Sequence, residues 1–329
     1  MIFPMNRQWV LIGILLLWSN SGFSQNLKHL DSLKTIELID TLFIDHNINN
    51  WSFRIFTNYK EQRFKLSNED QSLTYFPNNP SGIGIGIATR KLLLDIAFNI
   101  KGRNEQPTSR FDMSGTVIIE KHLIDLFFQT YQGFNVRNDF NNSESFREDL
   151  KSLSTGINYM YMFNAGEISI AAMKSGLSRQ KKTAVSFGLG SFLIISNQSA
   201  DSSLVPLELV SMFNDKAQLK NFTGIGAGIL GGFSTLIVLP ANFFLSVNIT
   251  PGIGLMYKKV ETELAEYKPS NPLLYQLQFA GALGYNSDRI YINLTVGNGI
   301  YSTDLDFGNK ALFSLTKAKL AIGYKLTGR

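Results

Sequence analysis

The residues best suited to chemistry are three histidines, His29, His46 and His122. A histidine works as a general base or a ligand only with partners within hydrogen-bond reach. His29 and His46 precede the first strand-like segment, and His122 falls in a two-residue turn beside Lys121. None sits at ligand spacing from another, and the chain has no cysteine. No metal site, cofactor or catalytic residue is therefore assigned. His122 reads as a solvated turn residue.

Carboxylates are the second candidates. Glu120 and Asp125 flank one tight turn and are expected to point inward near a rim, with Asp95 and Asp112 on adjacent strands. Such a set could bind a cation or relay protons. It could also form a salt-bridge network with Arg54, Lys101, Lys317 and Lys319, and the network is the preferred reading. Gln180-Lys181-Lys182 is a basic cluster expected between two strands at the outer rim. There Lys181 and Lys182 would be solvated or would touch lipopolysaccharide phosphates as point charges. The Gly-x-Gly-x-Gly runs at Gly82 and Gly224 lack nucleotide-loop spacing and lead into no helix.

These groups converge only if the strands carrying them do. The dominant pattern is alternation. Leu92, Leu94, Ile96, Phe98 and Ile100 are apolar, while Asp95, Asn99 and Lys101 interleave. Phe111, Met113, Val117 and Ile119 alternate with Asp112, Ser114, Thr116 and Glu120. Trp51, Phe53, Ile55 and Tyr59 oppose Ser52, Arg54 and Asn58, and Leu320, Ile322 and Tyr324 oppose Lys317, Lys319 and Lys325. Period two puts each set on its own face of a strand. Short turns fall near 89–91, 121–122, 164–167, 240–242 and 287–289. Long polar loops fall at 102–110, 135–148, 259–273 and 302–311. This is the layout of an outer-membrane barrel with short periplasmic turns.

The expectation is an all-β fold: a closed antiparallel transmembrane β-barrel of about fourteen strands, with twelve the alternative. Thirteen segments alternate clearly, among them 168–178. Parity requires one more, placed at Leu204–Met212. Asn221–Tyr257 carries no charge and has room for two helices, but its glycines and Pro240 argue for strands.

Residues 1–24 read as a signal peptide: Arg7, an apolar run from Trp9 to Trp18, and small residues before Gln25. Residues 25–49 are expected to be a periplasmic segment and 50–329 the barrel. Charged residues make up 17% and aromatics 12%, a balance that suits one face in lipid. The net charge of +5 is scattered and argues against nucleic acid as a partner. The expected partners are the lipid bilayer, lipopolysaccharide and the barrel-assembly machinery, and the barrel is expected to be a monomer in the outer membrane.

Four stretches carry a resemblance. They are Asp40-Thr41-Leu42-Phe43-Ile44 before Trp51, Tyr75-Phe76-Pro77-Asn78 before Gly82, Gln180-Lys181-Lys182 leading to Ser186-Phe187, and Pro251-Gly252-Ile253-Gly254-Leu255. In order and spacing the chain resembles the Bacteroidetes outer-membrane barrel family catalogued as domain of unknown function 4421. Thr183 and Val185 depart from its pattern, where Ser and Gly would be expected. The resemblance implies a barrel of this length in the outer membrane and no activity.

Three functional classes remain open: a small pore or surface binding scaffold, a lipid-active enzyme, and a structural part of an envelope complex. The face assignment itself is testable. Val117→Arg should be costly on the lipid face, and Thr116→Arg milder on the inner one.

Overall fold

The computed structural model describes residues 42–46, 51–68, 71–89, 91–100, 108–139, 144–164 and 167–326. The expected leader, most of the segment before Trp51, Lys101 and loop residues 102–107 lie outside them. In chain order the strands begin with β1 (Ile44–His46), β2 (Trp51–Asn68), β3 (Gln71–Phe76) and β4 (Ser81–Ala88). Next come β5 (Leu92–Asn99), β6 (Ser109–Ile119), β7 (His122–Asn138) and β8 (Glu144–Met162). Helix α1 (Ile170–Ser175) and β9 (Ser178–Gln180) follow, then β10 (Ala184–Ser199), β11 (Leu219–Val238) and β12 (Phe243–Thr262). The last are β13 (Glu266–Tyr267), β14 (Leu273–Asn286), β15 (Ile290–Asp304) and β16 (Asn309–Leu326).

The main sheet has fourteen strands, all paired antiparallel. Twelve close a ring: β2, β4 to β8, β10 to β12 and β14 to β16. The seam is a full ladder between β16 and β2, from Leu326↔Trp51 to Asn309↔Asn68. β3 and β13 complete the fourteen from outside the ring path, β3 by bridging β2 and β7. Fourteen thus describes the sheet, and twelve the ring.

Two expected strands are absent. Leu207–Met212 is a 3-10 turn. Segment 168–178 contains α1, because the Ser169 hydroxyl caps the helix by accepting from the Ala172 amide at 3.0 Å. Gly176 then ends it in the left-handed region, φ 67°. Ile168, Ile170 and Ala172 alternate in sequence, but capping outweighs so short an alternation. Parity is repaired by removing one strand, not by adding one.

Alternation elsewhere decides which side chains face out. On β2 every second side chain from Trp51 to Tyr59 is exposed, and Ser52, Arg54, Phe56 and Asn58 are buried inside. β5 and β16 follow the same rule. Large apolar side chains such as Ile85, Ile96, Met113, Ile229 and Leu320 form an exposed outer belt.

Both ends of the lumen are filled. At the end with the tight turns, Ile168, Ala172 and Met173 pack on Ala184, Leu236, Phe244 and Ala282. At the long-loop end, Leu204, Val205, Leu209 and Phe213 of the connection 200–218 pack among Phe64, Phe222 and Phe313. A Cβ built at Gly176 would lie 2.5 Å from the Tyr291 ring. Gly176→Ala should therefore cost about 1–2 kcal/mol from backbone conformation alone. Urea unfolding of the refolded barrel would check this, and an unchanged midpoint would refute the packing.

Candidate functional site: a charge-lined chamber between two plugs

The inward positions of neighbouring strands build the site. Arg54 on β2 donates through Nε to Asp95 Oδ1 at 2.8 Å, and its Nη2 lies 2.7 Å from the same oxygen. Lys319 on β16 reaches Asp95 Oδ2 at 2.8 Å. One carboxylate thus holds two cations. Arg54 and Asp95 sit on either side of β4, in register with Gly86. A Cβ there would lie 2.2 Å from Asp95 Oδ1 and 2.6 Å from Arg54 Nε. The glycine leaves the lane through which the two side chains meet.

α1 supplies a further cation. Lys174 Nζ donates to Asp125 Oδ1 at 2.9 Å and to Thr116 Oγ1 at 3.0 Å. The wall returns bonds to the carbonyls that a helix leaves open in its last turn. Asn293 Nδ2 donates to Met173 O at 3.0 Å and Arg54 Nη1 to Lys174 O at 2.8 Å. Toward the other end, Lys60 Nζ lies 3.5 Å from Asp112 Oδ1, which also accepts from Gln129 at 2.9 Å and Tyr131 at 3.0 Å. Lys317 has no carboxylate within 4.0 Å among the described residues, although Lys60, Lys174, Lys319 and Asp125 share its electrostatic neighbourhood.

These groups line a cavity of about 410 Å³ between the plugs. Its charged walls carry five cations (Arg54, Lys60, Lys174, Lys317 and Lys319) against three carboxylates, Asp95, Asp112 and Asp125. Asn58, Gln62, Ser246 and Asn293 also line it, and each has a buried oxygen without a hydrogen-bond partner. Buried polar atoms are normally satisfied, so the chamber presents unused bonding capacity and an excess of positive charge.

The outer plug is pinned above the belt. Arg147 pairs with Asp149 at 2.8 Å and donates to Ser203 O at 3.1 Å, and the Asp201 amide donates to Asp149 Oδ2 at 3.1 Å. The Arg147 hydrogen bond holds the Asp149 carboxyl below the usual carboxylate range, against the opposing effect of its partial burial.

Of the residues proposed from sequence, Arg54, Asp95, Asp112, Asp125, Lys317 and Lys319 face the chamber, and Lys101 lies outside the described residues. Glu120 does not face it. It occupies the β6–β7 turn with φ 51° and is exposed, because the strand ends one residue earlier. Lys181 and Lys182 stand at the end with the tight turns and both barrel termini, not at the long-loop rim, since 168–178 does not cross the wall. The Lys181 amide donates to Phe43 O at 2.7 Å, and the Lys182 ammonium lies 5.5 Å from the Phe43 ring centroid. Thr116 is a poor site for a mild arginine, because it already touches Lys174 and Asp125. Ser114, open to the chamber, is the tolerant neighbour.

Lys60 and Lys174 were missed. Lys60 continues the inward parity of Arg54 and Asn58, a legible signal, whereas Lys174 required recognition of α1. His122 faces outward, its Nδ1 2.8 Å from the Tyr159 hydroxyl, within a cluster with Tyr161 and Phe163. Among the described residues no cluster of His, Asp and Glu is placed to hold a metal ion.

A family model described as "Domain of unknown function (DUF4421)" matches residues 38–326. No curated protein matches the chain. Among solved structures, the outer membrane protease OmpT of Escherichia coli is 7% identical, covering 84% of this chain and 97% of its own, with a TM-score of 0.42. The translocator domain of autotransporter NalP from Neisseria meningitidis is 10% identical, covering 91% and 96%, with a TM-score of 0.33. The transport unit of autotransporter AIDA-I from Escherichia coli is 12% identical, covering 89% and 97%, with a TM-score of 0.30.

Proposed function

This chain belongs to the DUF4421 family, and from its barrel we propose an outer-membrane protein whose plugged lumen binds small anionic solutes and passes them when the plugs move. The membrane placement rests on the outer belt. Soluble monomers rarely expose contiguous apolar patches beyond a few hundred Å², whereas here outward side chains on successive strands are apolar. A ring closed by the β16–β2 ladder leaves no strand at a free edge, the condition for a sheet to cross a bilayer. Tyr59, Tyr159, Tyr161, Tyr257 and Tyr275 lie outward near the belt's margins, as the aromatic girdles of such barrels do. In this placement the tight turns and both barrel termini face the periplasm, where a removed leader 1–24 would have directed export. Lipid contacts the belt, and assembly falls to the machinery that inserts barrels.

The carrying observation is the chamber of five cations and three carboxylates between two plugs. An excess of positive charge in a confined space concentrates anions. The plugs keep it shut at rest, which protects the envelope from leakage.

Planar-bilayer recording tests the reading. The intact barrel should give no current steps. Replacing 169–177 and 201–217 by short Gly-Ser linkers should open stepwise currents with a reversal potential favouring chloride over potassium. Cation-selective currents, or none from a correctly folded double-linker barrel, would end the proposal.

A further inference from the structure

Of the ladder breaks among the described residues, the one between β5 and β6 has surroundings that identify what enters. The β5–β6 ladder runs from Leu92↔Val117 to Ile96↔Met113 and stops. β5 continues to Asn99 on its β4 side, and β6 continues to Ser109 on its β7 side. Ala97–Asn99 and Ser109–Asp112 therefore face each other without a ladder, although all are described. Above them the wall is tied again, where Asn99 Nδ2 donates to Thr108 O at 3.2 Å. Backbone groups left unpaired in hydrocarbon cost several kcal/mol each. A gap at this place must be wetted from the lumen or filled.

Its two sides differ in chemistry. Outward, Phe98 and Phe111 flank the gap at 62% and 51% exposure. Phe98 lies six residues from the start of β5, about 20 Å of strand, in the half of the belt nearer the long loops. Inward, the Arg110 guanidinium spans the gap, donating to Lys60 O, Pro80 O and Ser81 O at 2.9 Å each, and Asp112 sits on the gap's edge with Lys60 at 3.5 Å. Beyond Lys60 stands Lys317, the chamber cation without a carboxylate in reach among the described residues.

We propose that this gap is a lateral doorway, and that the chamber's ligand is a single-chain amphiphile with an anionic head. The head lies at Lys60 and Lys317. The chain passes between Phe98 and Phe111 into the belt. A purely polar anion gains nothing from the aromatic flank, and a neutral lipid gains nothing from the lysines. The inference rests on the chamber reading and narrows its ligand.

The full-length mature protein in phosphatidylcholine vesicles, photolysed with palmitic acid carrying a mid-chain diazirine, provides the test. Adducts should concentrate on peptides 97–99 and 109–112 and be displaced by unlabelled palmitate but not by acetate. Lys317→Gln should reduce them about tenfold, the worth of one charge-assisted hydrogen bond. Because the chain has no cysteine, Ile100→Cys with Ser109→Cys, beside the flank and leaving both phenylalanines in place, gives a single closable pair. Oxidation, or a short bis-maleimide if the sulfurs do not join, should abolish the adducts, and reduction of the disulfide should restore them. Adducts spread evenly along the belt, or unaffected by both Lys317→Gln and the bridge, would overturn the doorway. If the double-linker barrel stays anion-selective in that case, the chamber reading survives alone. If that barrel prefers cations, the chamber reading falls first.

Discussion

Replacing Asp95 by asparagine is expected to destabilise the barrel by about 3–5 kcal/mol, the cost of leaving a buried ion network without its counter-charge. Asp95 is the only carboxylate within 4.0 Å of Arg54 or Lys319 among the described residues. Arg54 is almost wholly buried, so water cannot replace the lost partner. The amide still accepts one hydrogen bond, but two cations then face each other with no charge between them. Urea unfolding in vesicles, followed by the heat-modifiable gel shift, measures the loss. Adding Lys319→Gln to Asp95→Asn should recover part of it, since one stranded charge goes with the lysine. A single-variant loss below about 1 kcal/mol, the range of exposed pairs, would mean that water already solvates the cluster.

Consecutive residues on β6 give the second large effect. Met113 faces out in the middle of the belt and Ser114 faces the chamber. Met113→Arg should cost about 2–4 kcal/mol, as arginine does on the lipid face near the midplane. Ser114→Arg should cost under about 1 kcal/mol, because the chamber already solvates charge. Val117 also faces out, but it lies three residues from the end turn, where an arginine can snorkel to the rim. Equal losses at Met113 and Ser114 would show that the belt does not meet hydrocarbon.

The sequence was informative wherever the signal was local. Period two is written residue by residue, so Arg54, Asp95, Asp112, Asp125, Lys317 and Lys319 were placed inside before any pairing was known. It failed where a local competitor won. Glu120 has the right parity, but its strand ends before it in a left-handed turn. Lys174 sits in a stretch that alternates, yet a serine cap and a left-handed glycine make it helix. That one misreading also put Lys181 and Lys182 at the wrong end and created the surplus strand at Leu204–Met212. The β5–β6 interruption is invisible in sequence, because where a ladder stops depends on both strands at once.

The seam between β16 and β2 sets the order of events during folding. Lys319 and Asp95 are 224 residues apart, and Arg54 and Asp95 are 41. Loop closure over such spans costs entropy before it returns any contact, so topologies of this kind form slowly. The Asp95 triad can therefore be completed only after the C-terminal strand has docked on the first. A chain in which Asn309–Leu326 has not yet paired keeps an open edge on β2 and an unneutralised lumen, and it is most exposed to aggregation and proteolysis during that interval.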